Sequence, residues 1–338
     1  MAKKGYRVIV VGRGAVGQEM LRVLRQRRFP AREIKVLATS AGEISVDGQA
    51  YAVAAARIEE VEGFDLALFA GTEGEKGAAV TLSPGAIEHG VIVIDNGNDF
   101  RMDPEVPLVI PEVNPEDLEQ HQGLIANPNC STIQMLVALK PLHDRARIKR
   151  VVVASYQSCS GAGSRAVAQL ERETEASVRG ESAPLEAFPH PIAGNVIPHI
   201  GRFSDSGYAS EEEKFVHESR KILHEPDLAV TATAVRVPTR IGHGEAVNVE
   251  FEQPLSPEEA RQILSRAPGV VVCDNPAENE YPMPLDVEGK DEVYVGRIRS
   301  DPTVPHGLNL WIVGDNLRKG AALNAVQIAE TMIEKGLL

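Results

Sequence analysis

Cys130 sits in the run Asn127-Pro128-Asn129-Cys130-Ser131-Thr132, between an apolar stretch at 124–126 and a helical run at 133–139. The thiol therefore falls at the start of a predicted helix, where backbone N–H groups and the helix dipole favour the thiolate, the nucleophilic form. A lone cysteine is more often a small buried hydrophobe. Polar neighbours on both sides argue against a core position here. A second chemical feature is Gly12-Arg13-Gly14-Ala15-Val16-Gly17, a G-x-G-x-x-G pattern. Its missing side chains let the backbone approach a pyrophosphate at the N-terminus of the following helix, the alternative being a tight turn that binds nothing. An NAD site carries Asp or Glu about 20 residues on, at the end of the second strand; here that strand ends Leu37-Ala38-Thr39-Ser40. Two hydroxyls in place of a carboxylate, with Arg13 as a cation, favour a 2′-phosphate and hence NADP. A solvated surface arginine is the other reading of Arg13. No metal-ligand set is assigned.

The elements that position these residues follow from hydrophobic period. Tyr6–Val11 is a short β-branched strand, residues 16–24 have helical spacing, and buried strands are predicted at 34–38, 66–70 and 91–94 with a helix at 76–89. Such alternation means βαβ units and a parallel sheet. From Cys130 onward the rhythm changes to longer alternating strands at 150–155, 229–237 and 246–252, with helices at 164–178, 211–223 and 257–266. The last has Ser256 as N-cap, Pro257 at the first helical position and Glu259 at the capping-box position. This is an α+β domain with a largely antiparallel sheet. Residues 181–210 are rich in Pro, Gly, Ser and His and predict a long loop, and the final helix is expected at 320–335 with Gly336 as its cap.

The chain has 338 residues, enough for two ordinary domains, and 35 Lys+Arg against 48 Asp+Glu give a net charge of −13. That balance speaks against tight, sequence-independent nucleic-acid binding. The longest apolar runs, at 8–11 and 151–154, are far short of a membrane helix, and residues 1–7 lead straight into a strand without leader features. The reading is of a cytoplasmic protein. Its three cysteines, Cys130, Cys159 and Cys273, suit reduced thiols better than a disulfide framework.

Several segments together resemble aspartate-β-semialdehyde dehydrogenases: 127–134 (NPNCSTIQ), Gln157 with 160–163 (SGAG), Arg236 with Gly242-His243, 314–322 (GDNLRKGAA), 99–104 and 111–114. They run in family order over essentially the whole chain. The resemblance implies a Rossmann-type NAD(P)-binding domain over 1–129 and 318–338, and an α+β glyceraldehyde-3-phosphate-dehydrogenase-like catalytic and dimerisation domain over 130–317. It implies reduction of L-aspartyl-4-phosphate by NADPH to the semialdehyde through a cysteine thioester, in a homodimer or homotetramer serving lysine, threonine, methionine and diaminopimelate biosynthesis.

By resemblance, Cys130 is the nucleophile, His243 its acid/base partner with a pKa near neutrality, and Gln157 orients the substrate. His243, between Gly242 and Gly244, has a loop-like setting; Gln157 is also readable as a strand-end polar group. Arg236 is the arginine that grips the substrate carboxylate. Glu211 and Lys214, three apart on one helix face, read from spacing as a surface ion pair; resemblance makes them contacts to the substrate amino group and phosphate. Arg101 and Asn129 join Lys214 at the phosphate. The coenzyme falls to Gly12, Arg13, Gly14, Ala15, Val16, Gly17, Thr39, Ser40, Ser160, Gly161, Gly163 and Asn316. Departures from the family gather on the coenzyme side. The first turn places Arg13 at a usual threonine, the segment after the second strand is Thr39-Ser40-Ala41-Gly42 without its usual arginine, and the 70–74 and 96–98 loops differ. Cys159 stands where a small apolar residue is more usual, close enough in sequence to Cys130 for an oxidative disulfide to be considered. The competing readings are an N-acetyl-γ-glutamyl-phosphate reductase and a non-catalytic nucleotide-binding homologue.

Overall fold

The apolar runs at 8–11 and 66–69 have no polar face to offer water, so they must be covered on both sides. In the computed structural model, which describes residues 5–71, 74 and 77–338, they become neighbouring strands at the centre of a sheet. The chain divides into two compact units, residues 1–129 with 321–338, and residues 130–320.

In the first unit the elements are β1 (Tyr6–Val11), α1 (Ala15–Gln26), β2 (Ala31–Ala38), β3 (Gly42–Val46), β4 (Gln49–Ala55), β5 (Leu66–Phe69), α2 (Ala78–Glu88), β6 (Ile92–Asp95) and β7 (Leu124–Ala126). Among the described residues they form one sheet ordered β3-β4-β2-β1-β5-β6-β7. All pairs are parallel except β3 with β4, a hairpin that hydrophobic period alone does not predict. The helix predicted from 76 is observed from Ala78; residue 76, like Thr72 and Glu73 of the divergent 70–74 loop, lies outside the described residues.

The second unit comprises α3 (Cys130–Ala146), β8 (Ile148–Gln157), α4 (Ser164–Val178), α5 (Ser210–Ile222), β9 (Ala229–Arg236), β10 (His243–Phe251), α6 (Pro257–Leu264), β11 (Val270–Val272), α7 (Pro284–Val287), β12 (Val293–Asp301) and β13 (Gly307–Gly314). Its sheet is ordered β11-β12-β13-β10-β8-β9. The sheet is mixed: β8 with β9 and β11 with β12 are parallel, while the three pairs joining β8, β10, β13 and β12 are antiparallel. Helix α3 packs against β8, β10, β12 and β13, α5 against β9, and α6 against β11 and β12. Elsewhere on the sheet Tyr156 is exposed, its ring 5.6 Å from that of Trp311. Ser256 caps α6 as expected, its hydroxyl accepting the Glu259 N–H at 3.1 Å.

The chain then returns to the first unit as α8 (Leu323–Lys335), closed by Gly336 in the left-handed conformation. Met332, Ile328 and Val326 join the core that β1 and α1 build, and Arg27 pairs with Glu330 at 2.7 Å.

Candidate active site

The sheet of the second unit gathers chemistry at one end. Gln157, the last residue of β8, pairs with Arg236, the last of β9; His243, the first of β10, pairs with Gly314, the last of β13. Cys130 opens α3, and that helix turn is seated at the same end by two contacts. Gly320 lies so close that a Cβ on it would stand 2.7 Å from the Cys130 Cβ. Gln134, one turn along α3, donates from Nε2 to the His243 carbonyl at 3.4 Å.

Long side chains then converge from α5. Glu211 accepts from Gln157 Nε2 and from Lys214 Nζ, both at 3.2 Å, and Gln157 Nε2 also reaches Ser155 Oγ at 3.2 Å. Arg236 is buried, and burial lowers its guanidinium from the ordinary value while Glu211, then Cys130 and Cys159, pull the other way. It remains a cation in electrostatic reach of Cys130. Its Nη1 donates to the Ser158 carbonyl at 2.6 Å, and its backbone exchanges two hydrogen bonds with Ile197. The loop at 181–209 is thus fastened rather than slack. Gln169 Oε1 takes the N–H groups of Glu186, Ala187 and Phe188, Glu173 Oε2 takes those of Ile192 and Ala193, and Phe188 lies under Arg236 at 5.8 Å.

His243 is fully buried in a strand, not in the loop-like setting its glycine neighbours suggested. Its pKa is not near neutrality: burial first, then the Arg236 charge, lower it to about 3, against Glu211 and the Gly242 carbonyl. Nδ1 accepts the Ser158 N–H at 3.1 Å, and the Ser158 hydroxyl lies at 3.0 Å. Cys159 Sγ lies 3.6 Å from the Val237 carbonyl; burial pushes this thiol up to about 11, so it carries little thiolate at neutral pH.

Of Ser160, Gly161, Gly163 and Asn316, expected at the coenzyme, Ser160 and Asn316 are buried, Gly161 is exposed and borders His243, and Gly163 is half-buried. Asn316 Oδ1 accepts from Gly242 N at 3.0 Å, Ser160 Oγ at 3.1 Å and Ser158 Oγ at 3.1 Å. A Cβ on Gly161 would stand 3.2 Å from His243 Nε2 and 2.9 Å from Arg236 Nη1. Gly163, at φ +86°, precedes the first turn of α4.

In the first unit the glycine turn is built as its pattern requires. Gly12 has φ +120°, a Cβ on Gly17 would collide with the Gly12 carbonyl, and nothing lies within 4 Å of where a Gly14 Cβ would be. No side chain caps α1, and its first turn holds no acid, so Ala15, Val16 and Gly17 present a bare helix N-terminus. A dinucleotide pyrophosphate fits that cradle. Arg13 turns its Nη2 to Ser40 Oγ at 3.1 Å, beside exposed Thr39. Arg101 is buried and donates to the carbonyls of Asn127 and Asn96 at 3.0 and 2.8 Å; Asn129 is buried too.

Gln134, Ser158, Gly320 and Glu245 escaped the sequence reading as site residues. A signal existed for Gln134, four residues after Cys130 and so on its helix face. Gly320 lies in the family-like segment 314–322, and Ser158 and Glu245 carried no signal. Glu245 is fully buried with neither carboxyl oxygen hydrogen-bonded among the described residues, and burial raises its pKa well above 4.5 against the opposing influence of Gln134.

Comparison with known proteins agrees with this architecture. The family profile described as semialdehyde dehydrogenase, NAD binding domain, matches residues 7–121, and the one described as semialdehyde dehydrogenase, dimerisation domain, matches residues 139–319. An aspartate-semialdehyde dehydrogenase of Aquifex aeolicus is 51% identical over 99% of this chain and 100% of its own length. One from Bacillus subtilis is 45% identical over 99% of each. The crystal structure of aspartate semialdehyde dehydrogenase II from Vibrio cholerae, complexed with ASA, is 42% identical with a TM-score of 0.92, covering 98% of this chain and 99% of that one. The chain, with a nicotinamide-dinucleotide-binding Rossmann domain and a second domain of the semialdehyde dehydrogenase dimerisation type, belongs to the aspartate-semialdehyde dehydrogenase family.

Proposed function

We propose that the protein reductively dephosphorylates L-aspartyl-4-phosphate to L-aspartate-4-semialdehyde, with NADPH, through a thioester on Cys130. The observation that carries this reading is the convergence of Arg236, Glu211, Lys214, Gln157 and His243 at the end of the sheet where Cys130 opens α3. An acyl phosphate with its own carboxylate and ammonium needs a nucleophile and three charged binders, and these side chains supply them. Arg236 takes the α-carboxylate and Glu211 the ammonium, with Gln157 orienting the acyl group; Lys214, Arg101 and Asn129 bind phosphate. Thiolate attack on the acyl carbon expels phosphate.

The coenzyme, when bound, supplies the hydride. Gly12, Gly14, Ala15, Val16 and Gly17 hold its pyrophosphate. Arg13 and Ser40, 3.1 Å apart at the end of β2, support a 2′-phosphate reader in place of the missing family arginine. A homodimer or homotetramer through the second domain, in the cytoplasm, accords with the exposed Tyr156 beside Trp311, and among the described residues no helix is long and apolar enough to cross a membrane.

Purified protein should oxidise aspartate semialdehyde only with phosphate present and faster with NADP⁺ than NAD⁺. Cys130→Ala should lose at least about 10³-fold in turnover with an unchanged thermal transition. Phosphate-independent turnover, or preference for N-acetylglutamate semialdehyde, would refute the reading. Arg13→Ala should raise the KM for NADP⁺ about tenfold, the worth of one charged contact, and leave that for NAD⁺ unmoved. Equal effects on both coenzymes would remove the 2′-phosphate assignment.

A further inference from the structure

We infer that Gln169 and Glu173 of α4 are positioning residues for Arg236: they tie the segment 186–197 across the end of β9 and so hold the guanidinium where it meets the substrate α-carboxylate. The inference rests on the role given to Arg236 above and adds two residues that act on it through the loop. Arg236 is the last residue of β9, the outermost strand of its sheet, with β8 pairing it on one side only. On the open side Ile197 forms an isolated antiparallel bridge to it, through hydrogen bonds of 2.9 and 2.8 Å. The same segment sets the Phe188 ring 5.8 Å from the guanidinium carbon. Between α4 and α5 the segment has neither helix nor strand of its own, so what ties it down decides its conformation.

The tie is a matched polar set. Gln169 and Glu173 are one turn apart on α4 and both are buried. Gln169 Oε1 accepts the N–H groups of Glu186, Ala187 and Phe188 at 2.9, 2.6 and 3.1 Å. Glu173 Oε2 accepts those of Ile192 and Ala193 at 2.6 and 2.9 Å, and Glu173 Oε1 accepts from Gln169 Nε2 at 2.7 Å. Consecutive N–H groups converging on one point ordinarily hold an anion; here a carboxamide oxygen takes that place, polarised through its own amide by the Glu173 carboxylate. The restraint then passes along the chain. Asn195 N donates to the Ile192 carbonyl at 3.0 Å and Asn195 Nδ2 to that of Pro191 at 2.8 Å, turning the backbone towards Ile197. Ile192 and Ile197 are buried in one apolar cluster with Cys159, Ala166 and Leu170.

The chemistry of the pair is restrictive. Three side-chain oxygens take five backbone N–H groups and one amide N–H. Two amides would be an acceptor short and would face one NH₂ with another; two carboxylates would face oxygen with oxygen. One carboxylate and one amide satisfy the set in either order. With Glu at 169 and Gln at 173, one carboxylate oxygen takes the N–H groups of 186–188, the other takes the amide N–H, and the amide oxygen takes those of 192 and 193.

Glu173→Gln, isosteric but an acceptor short, should raise the KM for aspartate semialdehyde about tenfold or more, the worth of one charged hydrogen bond. Its kcat should stay within about threefold, and the KM for phosphate and for NADP⁺ should not move. The exchanged double variant Gln169→Glu/Glu173→Gln should return the aldehyde KM to within about threefold of the parent. An unmoved aldehyde KM, a loss shared by all three substrates, or a double variant no better than Glu173→Gln overturns the proposal. Should Glu173→Gln not fold, Gln169→Ala, which releases 186–188 alone, must show the same split. A second readout needs no turnover. In protein labelled with ¹⁵N-arginine, the Arg236 Nη–H signals, assigned by their loss in Arg236→Lys, should resist exchange with water in the parent and the double variant and exchange fast in Glu173→Gln. Equal protection in all three overturns the proposal. A parent that does not turn over aspartate semialdehyde refutes the proposed function instead, and the exchange measurement then decides whether the pair holds Arg236.

Discussion

Gly161 touches the two groups on which the chemistry turns. A methyl there would stand 2.9 Å from Arg236 Nη1, whose own bond to Ser158 leaves it little room to retreat, and 3.2 Å from His243 Nε2. Gly161→Ala should therefore lower kcat/KM about tenfold or more, because a misplacement of about 1 Å at a reacting centre costs up to about 10²-fold. Unchanged kcat/KM would mean that the placement of Arg236 and His243 beside Gly161 does not matter to the reaction. At this scale the sequence was readable where residue type restricts chemistry: Cys130 among polar neighbours, and Arg236 with Glu211 by resemblance. The state of His243 was not readable. Its burial arises from β10 pairing with β13 and from the fastened loop over Arg236, contacts remote in sequence.

Elements with strong period were legible almost to the residue, as with α4, predicted and observed at 164–178. The β3–β4 hairpin was missed although its signal stands in the chain: Asp47-Gly48, both at positive φ, form the two-residue connection between Val46 and Gln49. The start of α8 was missed for a different reason. Asp315 Oδ1 takes the N–H groups of Leu317 and Arg318, and Gly320 N reaches back to the Asp315 carbonyl, winding a wide turn at Arg318–Ala322 before the helix begins. That turn sets Gly320 against Cys130, and hydrophobic period carries no trace of it. Helix α8 itself supplies core to the first unit, with Ile328 wholly buried beside Leu323, Ala325, Val326, Ala329 and Met332. Ile328→Ala should cost about 2–5 kcal/mol of that unit's stability, read by urea denaturation. A loss below 0.5 kcal/mol would mean that the returning helix is peripheral to the fold.

For the whole molecule, the net charge of −13 excludes little about an anionic substrate, because binding depends on a few placed cations. Stability against pH includes two fully buried contributors of opposite sense, His243 and Glu245. His243 has a folded pKa of about 3 against 6.5 unfolded, so between those values the unfolded chain holds a proton that the folded one lacks, and stability rises with pH. Glu245 is the reverse. Its folded pKa lies well above 4.5, so above 4.5 the folded chain holds the extra proton and stability falls with pH. Above pH 4.5 the two slopes oppose each other, and for as long as Glu245 holds its extra proton in the folded chain it draws stability down at up to about 1.4 kcal/mol per pH unit. Glu245→Gln removes that descending arm. Relative to the parent, its unfolding free energy should climb steadily with pH from 4.5 upwards, and the variant's own curve should be flat from the histidine above 6.5. Surface carboxylates titrate alike in both proteins and drop out of the difference. A difference that stays constant from pH 5 to 8 in guanidinium denaturation would show that Glu245 is ionised in the folded protein and has found a cation or water to hold it.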